Sequence, residues 1–146
     1  MLPVILLFIF LIVSVLISIY DIKTFHIPLI FLYIGLVITI LLTILFSINE
    51  LTDRLIGMGG MFLLFLLMRI ITKNGMGFGD IQYALYCGYM VGCPGFIYSS
   101  LLSSILGILF YFVFLRNRKK RIPFTPFMMV GTVTAMCCYK FIMDLI

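Results

Sequence analysis

Six apolar stretches, parted only by short polar turns, restrict this chain to very few folds. Backbone N–H and C=O groups cannot stay unpaired in hydrocarbon, so stretches of this length must become helices that satisfy their own hydrogen bonds. About 20 apolar residues cover the hydrocarbon core of a bilayer. The stretches run from about Leu2 to Tyr20, Pro28 to Ile48, Leu55 to Thr72, Ile81 to Cys93, Gly95 to Leu115 and Phe124 to Ile146. Pro28 stands at a first turn, where proline's missing N–H costs little. The fourth stretch has only 13 residues, short enough to be re-entrant. Of the 146 residues 64% are hydrophobic and 10% charged; a soluble domain carries about 25% charge. The expectation is one all-α, polytopic membrane domain over residues 1–146. Residues 1–20 lack a basic leading region and a small-residue cleavage site, so they read as a retained first helix.

Charge selects the topology. With six crossings, the inner loops are 21–27, 73–80 and 116–123. Lys23, Lys73, Arg116, Arg118, Lys119, Lys120 and Arg121 then lie inside, with Arg69 near that face. Only Arg54 and Lys140 of the ten basic residues fall outside. If the fourth stretch did not cross, the Arg116–Arg121 run would be exported, against the positive-inside bias. Six spans with both termini outside is therefore the expected arrangement. The net charge of +5 is concentrated in that run, which suits orientation and anionic lipid better than nucleic acid.

The outer loops hold Asn49, Glu50, Asp53 and Arg54, then Cys93-Pro94-Gly95, and read as structural. Gly57, Gly59 and Gly60 offer close helix approach. Cys87, Cys93, Cys137 and Cys138 lie in apolar stretches with no C-x-x-C spacing, and His26 is the single histidine. Ordinary metal or redox spacing cannot be built from them, so no metal or cofactor is expected.

Two acidic residues stand on the basic side, Asp21 after Tyr20 and Asp80 before the fourth stretch. A carboxylate at a membrane boundary is costly unless something uses it. Two neighbouring carboxylates cannot both ionise easily. The charged one can take a proton from water while the neutral one donates to a peptide carbonyl. Bland roles exist for each: a solvated helix end or an ion pair with Lys23 for Asp21, and an N-cap for Asp80. Gly77 and Gly79 permit unusual backbone angles and close approach of a substrate strand beside Asp80. A phosphate-loop reading of the glycines fails, because no strand precedes them and no Lys-Ser/Thr follows.

Three elements give the chain a family resemblance. Asp21-Ile-Lys-Thr-Phe-His-Ile-Pro28 resembles the first aspartate motif of the type IV prepilin peptidases. Gly77-Phe-Gly-Asp80 resembles their Gly-x-Gly-Asp signature, and Ile122-Pro-Phe-Thr-Pro-Phe127 resembles the element that opens their last helix. The resemblance implies a membrane aspartic endopeptidase with the six-helix Gly-x-Gly-Asp architecture and Asp21 and Asp80 as the catalytic pair. It would remove the short basic leader of prepilins or pilin-like secretion subunits at the cytoplasmic face of the cytoplasmic membrane, without metal or cofactor. Gly77, Gly79, Lys23, Pro28, Pro123 and Pro126 would shape the site or hold substrate. The loop 73–80 would move to admit the scissile bond.

The chain departs from the family pattern at Gln82 (often Lys), Leu29 (often Asn) and Thr125 (often Gly). The C-x-x-C domain that larger relatives use for N-methylation is absent from the sequence, so peptidase activity alone is expected. Signal peptide peptidases and presenilins share the Tyr-Asp and Gly-x-Gly-Asp elements, but their Pro-Ala-Leu motif is missing. The alternatives are an intramembrane protease of other single-span substrates and a non-enzymatic transporter or channel subunit. His26 reads as an interfacial side chain. The sequence leaves the precursor and the oligomeric state open.

Overall fold

The computed structural model describes residues 2–24, 26–72, 77–110, 112–113 and 124–145. Six α-helices carry the fold: α1 (Leu2–Thr24), α2 (Leu29–Phe46), α3 (Leu51–Ile71), α4 (Phe78–Val91), α5 (Gly95–Phe110) and α6 (Thr125–Leu145), with a 3-10 turn at Ile48–Glu50. Among the described residues there is no β-strand. The protein is an all-α membrane protein. Helices α1 and α2, and the run Ile48–Ile71, are long and apolar enough to cross a bilayer. The predicted stretches correspond to these helices in order. Lys73, the Arg116–Arg121 run and Pro123 lie outside the described residues.

Three boundaries differ from the sequence reading, each for a physical reason. Helix α1 continues to Thr24, so Asp21 lies within its last turns and not past its end. The Thr24 hydroxyl donates to Tyr20 O at 2.9 Å, and the His26 ring Nδ1 donates to Thr24 O at 2.9 Å, so that terminus is tied by its own side chains. Helix α3 begins at Leu51, which takes Asp53 and Arg54 out of the expected outer loop and into its first turn. Pro28 is the N-cap of α2, with φ −74° and ψ 95°, so the helix starts one residue after it.

The short helix α4 is the hub. Nine of its 14 residues are buried, and it packs against each of the other five helices. At about 1.5 Å per residue it covers roughly 21 Å, less than the about 30 Å hydrocarbon core. Enclosure by neighbours makes that deficit tolerable at the buried last turn, Met90 and Val91, while Phe78 at the start is exposed.

Glycine permits the enclosure. A Cβ on Gly57 of α3 would stand 2.6 Å from the Gly88 carbonyl oxygen and 2.6 Å from Gly92 Cα. A Cβ on Gly88 would stand 2.6 Å from Met61 Cβ and overlap the Gly57 carbonyl. The two backbones are therefore in direct contact, as small residues allow between membrane helices. Gly60 gives the same freedom to the Phe96 ring, 2.7 Å from where its Cβ would be. Gly59, grouped with them on sequence, faces open space with nothing within 4 Å.

Helices α5 and α6 form a second seam. The buried face of α5 is Gly95, Ser99, Ser100, Ser103 and Gly107, a small-residue stripe. Thr132 donates to Met128 O at 2.8 Å, which leaves its lone pairs to accept from Ser99 at 3.0 Å. The Phe124 ring lies 6.0 Å from that of Phe65, joining the start of α6 to α3.

Gly57→Ala is expected to destabilise the protein by about 1–3 kcal/mol, the usual cost of overpacking. Gly59→Ala, with no neighbour to meet, is expected to be neutral or slightly stabilising on helix propensity. Thermal unfolding in detergent checks both; equal midpoints for the two variants would overturn the backbone-contact account.

Candidate active site

Two helix ends build the site. Asp21 projects from the C-terminal part of α1 and is 5% exposed. Asp80 lies in the first turn of α4 and is half-buried. The helix starts at Phe78 with Gly77 as its N-cap, so Asp80 is the third helical residue, not the cap. From there its carboxylate accepts a hydrogen bond from the Gly77 N–H. This is the returning half of a capping box, in which the third residue satisfies the cap's own N–H. A Cβ on Gly77 would stand 3.1 Å from Asp80 Oδ2, so glycine leaves the carboxylate room to fold back.

The structure brings the two aspartates into electrostatic contact. Burial pushes the Asp80 carboxyl up from 3.8 to about 6; the negative charge of Asp21 adds to the rise, and the Gly77 N–H opposes it. With its carboxyl raised in this way, Asp80 keeps its proton into mildly acid solution. Asp21 Oδ2 is buried with no hydrogen-bond partner in the protein. It is free to accept from water or substrate.

The remaining predicted residues separate by position. Gly79 sits where a Cβ would come 3.2 Å from Ile27 Cβ, so the α1–α2 loop closes on the start of α4. Pro28 follows Ile27 and fixes where α2 begins. Lys23 is exposed, and among the described residues no ion pair joins it to Asp21, whose burial also argues against a solvated helix end. Pro126 is the second residue of α6, on a helix that packs against both α1 and α4. His26 is exposed and bonded to its own turn.

Several features escaped the sequence reading. Arg69 lies with its guanidinium 5.4 Å from the centre of the Phe78 ring, linking the end of α3 to the start of α4. The departures Gln82 and Thr125 each bury a side-chain oxygen without a partner. Ser18 and Ser14, one and two turns before Asp21 on α1, are buried with unpaired hydroxyls. Their spacing of four and then three residues, leading to an aspartate in an otherwise apolar helix, is the signal that could have found them.

Residues 6–112 match the type IV leader peptidase family. The chain belongs to that family. It is thus a leader peptidase-like protease, and both aspartates fall inside the matched span. The Ile122–Phe127 element lies beyond that span. No curated protein and no solved structure matches the chain.

The pH dependence follows with a definite sign. Asp80's value in the fold, about 6, lies above the 3.8 of a free carboxyl, so the folded state holds the proton more tightly. Its contribution to stability is full below about pH 4 and is lost as pH rises through about 6. Infrared titration of the Asp80 carboxyl should give a midpoint near 6 in the native protein. It should give a lower one in Asp21→Asn, where the raising charge is gone. An unchanged midpoint would show that the two carboxyls do not interact.

Proposed function

We propose that this protein is an aspartic endopeptidase of the prepilin peptidase type, cleaving pilin-like precursors with Asp21 and Asp80. The observation that carries the reading is the raised carboxyl of Asp80 beside the unpartnered, buried Asp21 Oδ2. In the singly protonated pair, one carboxylate takes a proton from water as that water attacks the scissile carbonyl. The neutral partner donates its proton to the carbonyl oxygen, and the proton gained by the first is passed to the leaving amine. The protein's own groups supply both acid and base, so no metal or cofactor is invoked.

Six spans with both termini outside would put the aspartates and the Arg116–Arg121 run at the cytoplasmic face. The basic leader of the precursor would lie in the cytoplasm and its hydrophobic helix in the bilayer. The start of α4 and the α1–α2 loop, joined at Gly79 and Ile27, form the rim that a substrate strand would meet. Gly77, Gly79, Pro28 and Pro126 shape that rim, Lys23 serves topology, and Pro123 belongs to the same proposal from its motif alone. Peptidase activity without N-methylation is proposed, since the sequence holds no C-x-x-C pair.

Asp21→Asn and Asp80→Asn should each keep the wild-type fold and lose at least roughly 10²–10⁴-fold in cleavage rate, the usual share of general acid–base catalysis. Co-expression with a pilin precursor, followed by sequencing of the mature amino terminus, measures this. Full cleavage by the Asp80→Asn protein would refute the assignment. A generic single-span helix cleaved as well as a precursor with a basic leader would move the activity to a broader intramembrane protease.

A further inference from the structure

Tyrosines recur at every third position of α4, at Tyr83, Tyr86 and Tyr89, and all three are fully buried. None of their hydroxyls has a hydrogen-bond partner in the protein. Each faces another hydroxyl without closing a bond of good geometry: Tyr83 faces Ser14, Tyr86 faces Thr39 and Tyr89 faces Thr43. Thr39 and Thr43 have committed their protons to carbonyls of their own helix, Gly35 O at 3.1 Å and Thr39 O at 2.8 Å. They offer the tyrosines only lone pairs.

Ser14 and Ser18 behave differently from most hydroxyls within α5 and α6. Ser103, Ser104, Thr132 and Thr134 all donate back to the carbonyl four residues earlier, the common habit in membrane helices. Ser14 and Ser18 are buried in the same way, yet their oxygens are unpaired. With Asp21 Oδ2 they continue the line of unmet polar atoms to the candidate active site. At about 1.5 Å per residue the steps along α1 and α4 are roughly 4.5–6 Å. Two O–H···O bonds through one water span about 5.5 Å.

Beyond the far end of the line, one residue along α4 from Tyr89, Met90 lines a cavity of about 590 Å³ together with residues that include Leu7, Glu50, Asp53, Arg54 and Met136. The Arg54 guanidinium lies 6.0 Å from the centre of the Tyr89 ring. Its Nη1 donates to Met90 O at 3.2 Å, and its Nη2 to Glu50 at 2.8 Å. This cavity is at the end of the bundle away from Asp21. Apolar side chains wall the line; the Phe10 ring sits 5.2 Å from that of Tyr86.

We propose that a file of bound waters runs through the bundle from this cavity, past Tyr89, Tyr86, Tyr83, Ser14 and Ser18, to the buried oxygen of Asp21. The file is a water-binding site in its own right. Its further role, which rests on the reading of Asp21 as catalytic, is to supply the hydrolytic water from inside the protein while substrate covers the open face. Buried water is stable where two to four polar groups converge on it, and the paired hydroxyls provide them.

Millisecond X-ray hydroxyl-radical labelling of the intact protein in detergent, read by mass spectrometry, tests the file without reference to activity. Tyr83, Tyr86 and Tyr89 should be labelled despite their burial, at rates comparable to exposed Tyr98. Tyr86→Phe should lower the labelling of Tyr83 and lower the melting temperature, because a water loses its partner. Unlabelled tyrosines, or a Tyr86→Phe protein that melts higher, would overturn the proposal by showing a dry core. Ser18→Ala should reduce kcat several-fold on a precursor with KM unchanged; labelled tyrosines with an unchanged kcat would refute the supply role. An active Asp21→Asn enzyme would instead defeat the catalytic reading and leave the labelling result standing.

Discussion

At Gly57 and Gly88 two helices meet backbone to backbone, and the rest of the bundle is arranged around that contact. With no Cβ on either side, α3 and α4 approach closely enough for α4 to sit inside the other helices. Association between helices in lipid draws little from the hydrophobic effect, since lipid tails are as apolar as leucine. Close packing and polar contacts must supply it. The same device recurs at Gly131, where a Cβ would stand 2.8 Å from Ser99 O and overlap Ser103 Oγ. A large side chain at Gly57 or Gly88 would push α4 outward and carry Asp80 away from Asp21.

Enclosure has an electrostatic consequence at both ends of α4. A helix leaves unpaired N–H groups at its start and unpaired carbonyls at its end. The last turn, with Met90, Val91 and Gly92 buried, cannot rely on bulk water, whereas Gly77 and Phe78 at the start are exposed. The Asp80 carboxylate meets the Gly77 N–H at one end, and Arg54 meets Met90 O at the other. Gly92 closes the last turn through its N–H to Gly88 O at 2.9 Å, at φ +69°, a conformation that favours glycine. An acid at the start and a cation at the end both match the helix dipole. Asp80 therefore has a structural part as well as the chemical one proposed for it.

How much of this was legible in the sequence depends on what each residue had to announce itself against. Asp21 and Asp80 stood out because charge is rare in this chain, and the motifs around them carried the family. The six helices were readable from apolar length alone. Their ends were not: Asp53 and Arg54 looked like loop because they are charged, yet Arg54 is drawn inward by a carbonyl and a carboxylate that sequence does not display. Gly59 looked equivalent to Gly57 because composition does not reveal which side of a helix faces a neighbour. Ser14, Ser18 and Tyr83 were invisible for a related reason. Small hydroxyls scarcely lower the apolar score of a helix, whereas an unpaired buried hydroxyl costs about 1–3 kcal/mol.

The position of Asp80 resolves a conflict between two demands on one carboxyl. Capping the start of α4 favours the charged form, which accepts from the Gly77 N–H and suits the helix dipole. Burial and the charge of Asp21 favour the neutral form. If capping won outright, the group would be a permanent carboxylate and could donate nothing. If burial won outright, it would keep its proton throughout the neutral range and lose its grip on the helix end when the pair needed a second charge. The resulting balance, a carboxyl pushed up to about 6, leaves both forms accessible within a small free-energy interval. The acid–base pair proposed for this site needs that accessibility. The short helix, its glycine cap and the enclosing crossings therefore serve one end, a carboxyl held dry enough to keep a proton and bonded well enough to release it.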